Sequence, residues 1–552
     1  MTTLNTLSAT LRRPGTTLAA STLAVAVLLA ALLACGGPSP ETDAPSEETP
    51  AYGGTAIVAI GSDFDVFNEL ATTSAIGDQV IGHVVFQNLI AYDENLDYAP
   101  ALADSFGIAE DGLSATFRIR DGVRWHDGAS VTADDVVWSF DMSMLDETAY
   151  PERQALAYVA RAERVDARRV RFHFTSVHAE PLADFMYWTP MPKHLLEDVP
   201  PAEMINAPFN RQPVGNGPFR VVSWQANEQV VMEANEDFWA GRPYLDRVVF
   251  RVIPEPATAV TELLSGGIDL YRNVPPIDMA RLETSDVARP LSWPTLGFTL
   301  LMFNLRDPLF QDVRVRRALT MATDREELVE GLVRGYGEVS TGPAASMQWE
   351  RNETLEPWPH DPEEAKRLLA EAGWRDTNGD GILDKDGRPF RFQITTNTDN
   401  ILRQDLLVAL QSQLREIGID ARPRAVEFNT MIDQWMSGEF DTVVAGWDLY
   451  LRFDPTQLFE TGAPYNGGAY SNPRVDELLR RARTTLDREE AEPLWDEFLQ
   501  IIHDEQPYIF LVADHERWGA SRRLRGVAPT AAPNAYSPLA GIAKWWIPPE
   551  ER

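Results

Sequence analysis

The chain has 552 residues, 44% of them hydrophobic and 24% charged, with 83 acidic against 49 basic side chains and a net charge of −34 at neutral pH. An acidic surface of this size repels phosphate backbones and anionic lipid headgroups, so nucleic acid is excluded as an expected partner and a membrane is reached only through an anchor. A single cysteine, Cys35, excludes an intrachain disulfide, and the fold must rest on its apolar core.

The first segment with a meaning is the apolar run Leu18 to Ala34, preceded by Arg12 and Arg13 and closed by Leu32-Leu33-Ala34-Cys35. A basic start, apolar middle and small-residue end make an export signal, predicted over residues 1–34. The closing string resembles the bacterial lipobox, whose cysteine is acylated and becomes the first residue of the mature protein. The alternative is an uncleaved membrane anchor: at ~1.5 Å per helical residue the run falls a little short of a ~30 Å hydrocarbon core and would stretch across it with help from its flanks. The expected product is exported and lipid-anchored to a bacterial membrane through Cys35, facing the periplasm or the cell exterior. Residues 35–51, with four prolines and no aliphatic side chain larger than alanine after Cys35, read as a disordered tether. From Tyr52 about 500 residues remain, too many for one compact core, so two or three lobes are expected.

Strand and helix signals alternate from there on. Thr116 to Arg120 alternates as a half-buried strand, Asp121-Gly122 turns it, and Val123 to Trp125 resumes it, which predicts a hairpin. His173, between Phe172 and Phe174, belongs to the polar face of another strand. Thr132 followed by Asp135 and the apolar Val136, Val137 and Phe140 predicts a capped helix start. Asp361-Pro362 places a cap and an N1 proline before a helix that carries Leu368 and Leu369 and stops at Gly373. Leu406, Leu407, Leu410, Leu414 and Ile417 recur at helical spacing before Gly418, and strand-like Ile419 to Val426 follows, a unit with a crossover connection. Between these helices Asp376, Asn378, Asp380, the main-chain carbonyl of Ile382 and Asp384 match the front of an EF-hand loop around Gly381. Position twelve is Gly387, so the closing glutamate is missing; the alternatives are a structural calcium site or a polar Asx-turn loop. No nucleophile elbow, zinc-protease or phosphate-loop string occurs, and an enzyme is not expected.

Four blocks carry a family resemblance: Glu110–Phe140, Pro213–Trp224, Thr261–Tyr271 and Arg314–Val329. In that order they resemble the bacterial extracellular solute-binding proteins of family 5, the oligopeptide-, dipeptide- and nickel-binding receptors of ABC importers. The resemblance implies an α/β, two-lobed clamshell of the periplasmic-binding-protein kind, with a discontinuous first lobe over 52–296 and 514–552, a subdomain near 97–212, and a second lobe over 297–513. Two strands would cross between lobes near Leu300–Asn304 and Ile509–Val512. It further implies a monomer that passes a peptide or other small solute to permease and ATPase subunits, with no cofactor required. By resemblance Trp447 lines the cleft, with core packing as its alternative. Peptide receptors of the family place an amine-binding carboxylate three residues later, where this chain has Tyr450; Asp448 is the nearest acid. Phe428, the loop Ser62, Asp63, Phe64 and Asp65, and Tyr470 are further cleft candidates. Asn304 either faces the cleft or satisfies hinge backbone groups.

Overall fold

The computed structural model describes residues 49–533 and 535–552. The signal segment 1–34, Cys35 and nearly all of the tether lie outside the described residues.

A twelve-stranded mixed sheet runs through the molecule in the order Asp420–Val426, Arg391–Asn397, Thr442–Asp448, Gly297–Phe303, Tyr508–Ser521, Leu270–Arg272, Thr55–Ile60, Arg247–Val252, Gln229–Ala234, Phe219–Gln225, with Ala288–Pro294 and Gly337–Glu338 also paired to Tyr508–Ser521. That 14-residue strand joins the halves. Its start pairs antiparallel with Gly297–Phe303 (Met302 opposite Tyr508, Thr299 opposite Val512), and its end pairs with Leu270–Arg272 (Arg272 opposite Trp518). The two predicted crossing strands are thus neighbours in one ladder. Every residue of Gly297–Phe303 is buried, as are Tyr508 to Ala513. Strands covered on both faces read as near-continuous apolar runs, as Leu300–Phe303 and Tyr508–Ala513 do.

Successive side chains of the crossing strand feed different cores. Leu301 and Phe303 join Leu406, Leu410 and Ile394 on one face. Leu300 and Met302 join Trp435, Phe498 and Tyr508 on the other. On the far side of the waist, Val58, Phe250, Phe117, Phe172, Phe185 and Trp188 build a separate core. Separate cores on either side of a shared pair of strands make two lobes. Within the first lies a four-stranded antiparallel sheet, Ala103–Ile108, Ser114–Ile119, Arg169–Phe174 and Val159–Arg164, covered by helix Ala133–Met144.

Thr132 and Asp135 form the capping box, with the Thr132 amide donating to Asp135 Oδ2 at 2.8 Å. Asp361 caps Pro362–Glu371 through the Glu364 amide at 2.9 Å. Helix Ile401–Glu416 buries Leu406, Leu407, Leu410 and Leu414 and connects the parallel strands Arg391–Asn397 and Asp420–Val426. The 116–125 hairpin is not formed. Ser114–Ile119 pairs instead with Ala103–Ile108 and Arg169–Phe174. Val123 and Trp125 are buried, and their segment bonds to residues 129–131 instead, through the Trp125 amide to the Ala129 carbonyl, the Val131 amide to the Val123 carbonyl and an isolated bridge between Arg124 and Ser130. Alternation marked the buried face correctly but not the partner, because strand pairing is a long-range choice.

Candidate functional site

The site follows from strand direction. Thr55–Ile60 is parallel to Arg247–Val252 and to Leu270–Arg272. Leu270–Arg272 runs against the long crossing strand, so its carboxyl end, at Arg272 opposite Trp518, is the end nearer the waist. In the second lobe Arg391–Asn397, Asp420–Val426 and Thr442–Asp448 are mutually parallel, and Gly297 lies opposite Asp448 where the crossing strand enters. Both sets of parallel strands therefore aim their carboxyl ends at the waist from opposite sides. Open α/β sheets bind ligands outside those ends, where loops and helix N-termini converge.

This edge gathers Trp447, Asp448, Tyr450 and Phe428 in the second lobe and Ser62 to Asp65 in the first. Trp447, partly buried, packs against Tyr465 (ring centroids 4.8 Å apart) and Trp435 (6.1 Å). Phe428 opens helix Phe428–Ser437 and is 44% exposed. Asp448 accepts no hydrogen bond from the described residues. Although exposed overall, its carboxyl has lost enough water to neighbouring atoms to raise its pKa; Arg403 pulls the other way, Glu516 adds to the rise and Arg272 opposes it. Two glycines make room for these charges. A methyl group on Gly297 would collide with the Asp448 carboxylate, and one on Gly446 with the Arg403 guanidinium.

The first-lobe loop is built by its own acids. Asp63 accepts from Trp224 Nε1 at 3.0 Å and the Asn227 amide at 2.8 Å, binding the loop to the Phe219–Ala234 hairpin. Phe64 is buried among Phe67, Trp224 and Phe250, and Ser62 is exposed. Asp65 accepts from Thr72 Oγ1 at 2.9 Å and the Thr73 amide at 2.7 Å. Those bonds hold Thr72 and Thr73 in the wall of a cavity of about 300 Å³, closed on other sides by Glu69, Tyr150, Asp184, Tyr187 and the second lobe's Tyr450. Tyr187 meets Tyr450 edge-on at 5.1 Å, and the Tyr150 hydroxyl donates to Glu69 Oε1 at 2.7 Å.

Beside the cavity the lobes are clasped. Arg452 reaches Asp184 at 3.0 Å and His178 at 3.4 Å, Arg488 reaches Asp97 at 2.9 Å, and the Ala179 amide donates to the Arg483 carbonyl at 2.8 Å. Burial raises the Asp184 pKa and Arg452 holds it back. Burial also lowers His178 to about 4, so it stands neutral beside Arg452.

Two expected residues lie elsewhere. Asn304 follows the carboxyl end of Gly297–Phe303, which pairs with the amino end of Thr442–Asp448, the sheet edge opposite the cleft. Its amide donates to the Gly438 and Phe440 carbonyls at 3.0 and 2.7 Å, so it satisfies backbone. Tyr470 is buried at that same edge, with its hydroxyl on Glu505 Oε2 at 2.6 Å. In the acidic loop the oxygens turn to the loop's own N–H groups. Asp376 accepts from Gly379 and Gly381, Asn378 from Asp380, Asp380 from the Ile382 amide, and Asp384 from Thr377. Among the described residues no three acidic, histidine or cysteine side chains gather as a metal site.

Glu69, Tyr150, Asp184, Tyr187 and Arg452 were not singled out in the sequence. Glu69 carried a signal, a carboxylate inside Phe67 to Ala71; the others, in loops and in and beside the short 3-10 helix Ala183–Met186, are brought in by tertiary structure.

Parallel strands aimed into a waist, an aromatic and charged edge and a clasp between lobes define a two-lobed solute receptor. Residues 97–468 match the model of the bacterial extracellular solute-binding proteins, family 5 Middle, and the chain belongs to that family. It is 32% identical over 537 residues to the oligopeptide-binding protein AppA of Bacillus subtilis, covering 95% of this chain and 98% of that protein. The structure of that AppA with a nonapeptide superimposes with a TM-score of 0.71 over 91% of this chain and all of the other, at 31% identity. NikZ of Campylobacter jejuni, solved with Ni(L-His), gives a TM-score of 0.71 at 27% identity, covering 89% of this chain and 99% of NikZ. The two-lobed α/β fold expected from the sequence is borne out.

Proposed function

We propose that the chain is the receptor of an ABC importer, that it captures a peptide or peptide-like solute between its lobes, and that it hands the solute to permease and ATPase subunits without chemical change. The observation that carries this reading is the likeness to an oligopeptide-binding protein along 95% of the chain, joined to a cleft whose exposed carboxylate, Asp448, accepts no hydrogen bond from the described residues. The lobes divide at 52–296 with 514–552 and at 297–513, with 97–212 as the subdomain. The receptor acts as a monomer, exported and tethered through acylated Cys35.

A buried peptide ammonium needs a charged partner, because leaving one unpaired costs several kcal/mol. Asp448 takes that part in place of Tyr450. A thermal-shift panel of di-, tri- and pentapeptides, oligosaccharides and nickel–histidine tests the assignment, since a ligand of the native state raises the melting temperature. Peptides are expected to stabilise the protein; stabilisation by sugars or the chelate alone overturns it. Asp448→Asn is expected to weaken peptide binding by ~2–5 kcal/mol, and Trp447→Ala by less.

A further inference from the structure

We propose that the junction between the lobes is a proton-linked latch: Glu350 is neutral while the clasp is shut, and each opening of the clasp hydrates it and sends its proton to solvent. The inference rests on the two-lobed receptor reading above and not on the identity of the solute.

Geometry makes the case. A cavity of about 20 Å³ lies at the junction, walled by His178 to Glu180 of the first lobe and by Trp349, Glu350, Arg452 and Arg483 of the second. Its lining holds three buried polar atoms with no hydrogen-bond partner among the described residues, Glu350 Oε2, His178 Nδ1 and Arg483 Nε. Only Glu350 is an acid. An ionised carboxylate buried without a cation beside it is strongly unfavourable, so a carboxyl group in this place sheds its charge.

The cations nearby are committed elsewhere. Arg452, in the loop after strand Thr442–Asp448, pairs with Asp184 at 3.0 Å. Arg488, at the start of helix Arg488–Glu505, reaches Asp97 at 2.9 Å and Glu180 at 3.6 Å, with its guanidinium 5.3 Å from the Trp349 ring. His178 stands neutral, and Arg483, at the end of helix Pro473–Ala482, lies on its side of the cavity. Of the remaining acids, Glu180 accepts from the Tyr98 hydroxyl on strand Tyr98–Pro100, and Asp454 from the Thr456 amide at 3.1 Å. The pKa of Glu350 follows this balance. Loss of water raises it from 4.5 to about 8; its own main chain and that of Phe453 pull the other way, Glu180 adds to the rise and Arg488 opposes it.

Parting the lobes removes the first-lobe wall, and water then supports the charge. A proton held only in the shut form favours that form below the open-state pKa, and the advantage is lost as pH climbs toward the shut-state value. Between pH 4.5 and about 8 the open population therefore rises about 10-fold per pH unit. Entry to the cleft and exit from it are easier in neutral than in acidic surroundings.

The Ala179 amide reports opening directly, because its 2.8 Å hydrogen bond to the Arg483 carbonyl runs from one lobe to the other. The test is hydrogen exchange on the ligand-free mature chain from pH 5 to pH 8, corrected for the intrinsic pH dependence of amide exchange. Amides of Gly297–Phe303, paired within the second lobe to Thr442–Asp448, serve as the reference. Ala179 is expected to exchange ahead of that strand, with its protection falling about 10-fold per pH unit in the parent and staying level in Glu350→Gln, which keeps the shape without the titration. A pH-independent protection of Ala179 in the parent, exchange of Ala179 only together with the strand, or the same fall in folded Glu350→Gln overturns the latch. The parent's profile alone decides if the variant does not fold. No solute enters the measurement, so its failure is separate from that of the peptide reading, which the thermal-shift panel tests.

Discussion

Glu350 offers the most quantitative check on how the lobes meet. It is 3% exposed, its Oε2 has no hydrogen-bond partner among the described residues, and it sits in the wall between Trp349, Arg452 and Arg488 of the second lobe and His178 to Glu180 of the first. Removal from water lifts its pKa from 4.5 to about 8; Glu180 adds to the rise and Arg488 opposes it. The folded protein thus keeps a proton that the unfolded chain releases above pH 4.5. For a raised acid the contribution to stability is fully present below the unfolded pKa and is lost as pH climbs toward the folded one. The slope is ~1.4 kcal/mol per pH unit for one proton. Over the interval from 4.5 to about 8 the loss is on the order of 5 kcal/mol. Glu350→Gln keeps the shape and removes the titration. Denaturant unfolding of both proteins at half-unit steps from pH 5 to pH 9 should show the parent losing stability relative to the variant up to about pH 8 and running parallel above it. Parallel profiles between pH 5 and 8 would mean that Glu350 is ionised in the fold, and would refute the reasoning.

Arg452→Met should destabilise the protein by ~3–5 kcal/mol, because it leaves Asp184 buried without its cation, and adding Asp184→Asn should recover much of the loss in a double-mutant cycle; an additive double mutant would show that the pair is not coupled. Asp376→Ala should cost about 1 kcal/mol by releasing the Gly379 and Gly381 amides, equally with and without millimolar calcium; a loss that appears only with calcium would establish an ion in the 376–387 loop. Cys35→Ala should abolish incorporation of labelled fatty acid and release the protein from the membrane fraction, since several acyl chains are needed for stable anchoring; labelling equal to the parent would rule out Cys35 as the acceptor.

Much of the fold was legible because its local rules and its tertiary structure agree. The caps at Thr132 and Asp361 use short-range geometry that any chain must satisfy at a helix start, so sequence alone located them. The crossing strands announced themselves as near-continuous apolar runs because two different cores press on Gly297–Phe303 from opposite faces. The hairpin at 116–125 failed for the complementary reason. Ser114–Ile119 alternates as a strand must, but nothing local records that its neighbour is Arg169–Phe174, fifty residues away.

The site divides along the same line. Trp447, Asp448, Tyr450 and Phe428 could be found because the family resemblance marks them, and the structure places them at or just after the carboxyl ends of two parallel strands, Thr442–Asp448 and Asp420–Val426. Asn304 looked equivalent as a polar residue ending a strand, yet its strand runs antiparallel to Thr442–Asp448, so its end lies at the opposite edge. Strand direction, which separates these two cases, is a property of topology and not of either residue. The cavity is further from view still, since Glu69, Tyr150, Tyr187 and Tyr450 come from four separate segments and from both lobes. What binds in it depends on how those segments close on one another, which is why solute specificity can change within a family while the strands that aim at the waist stay the same.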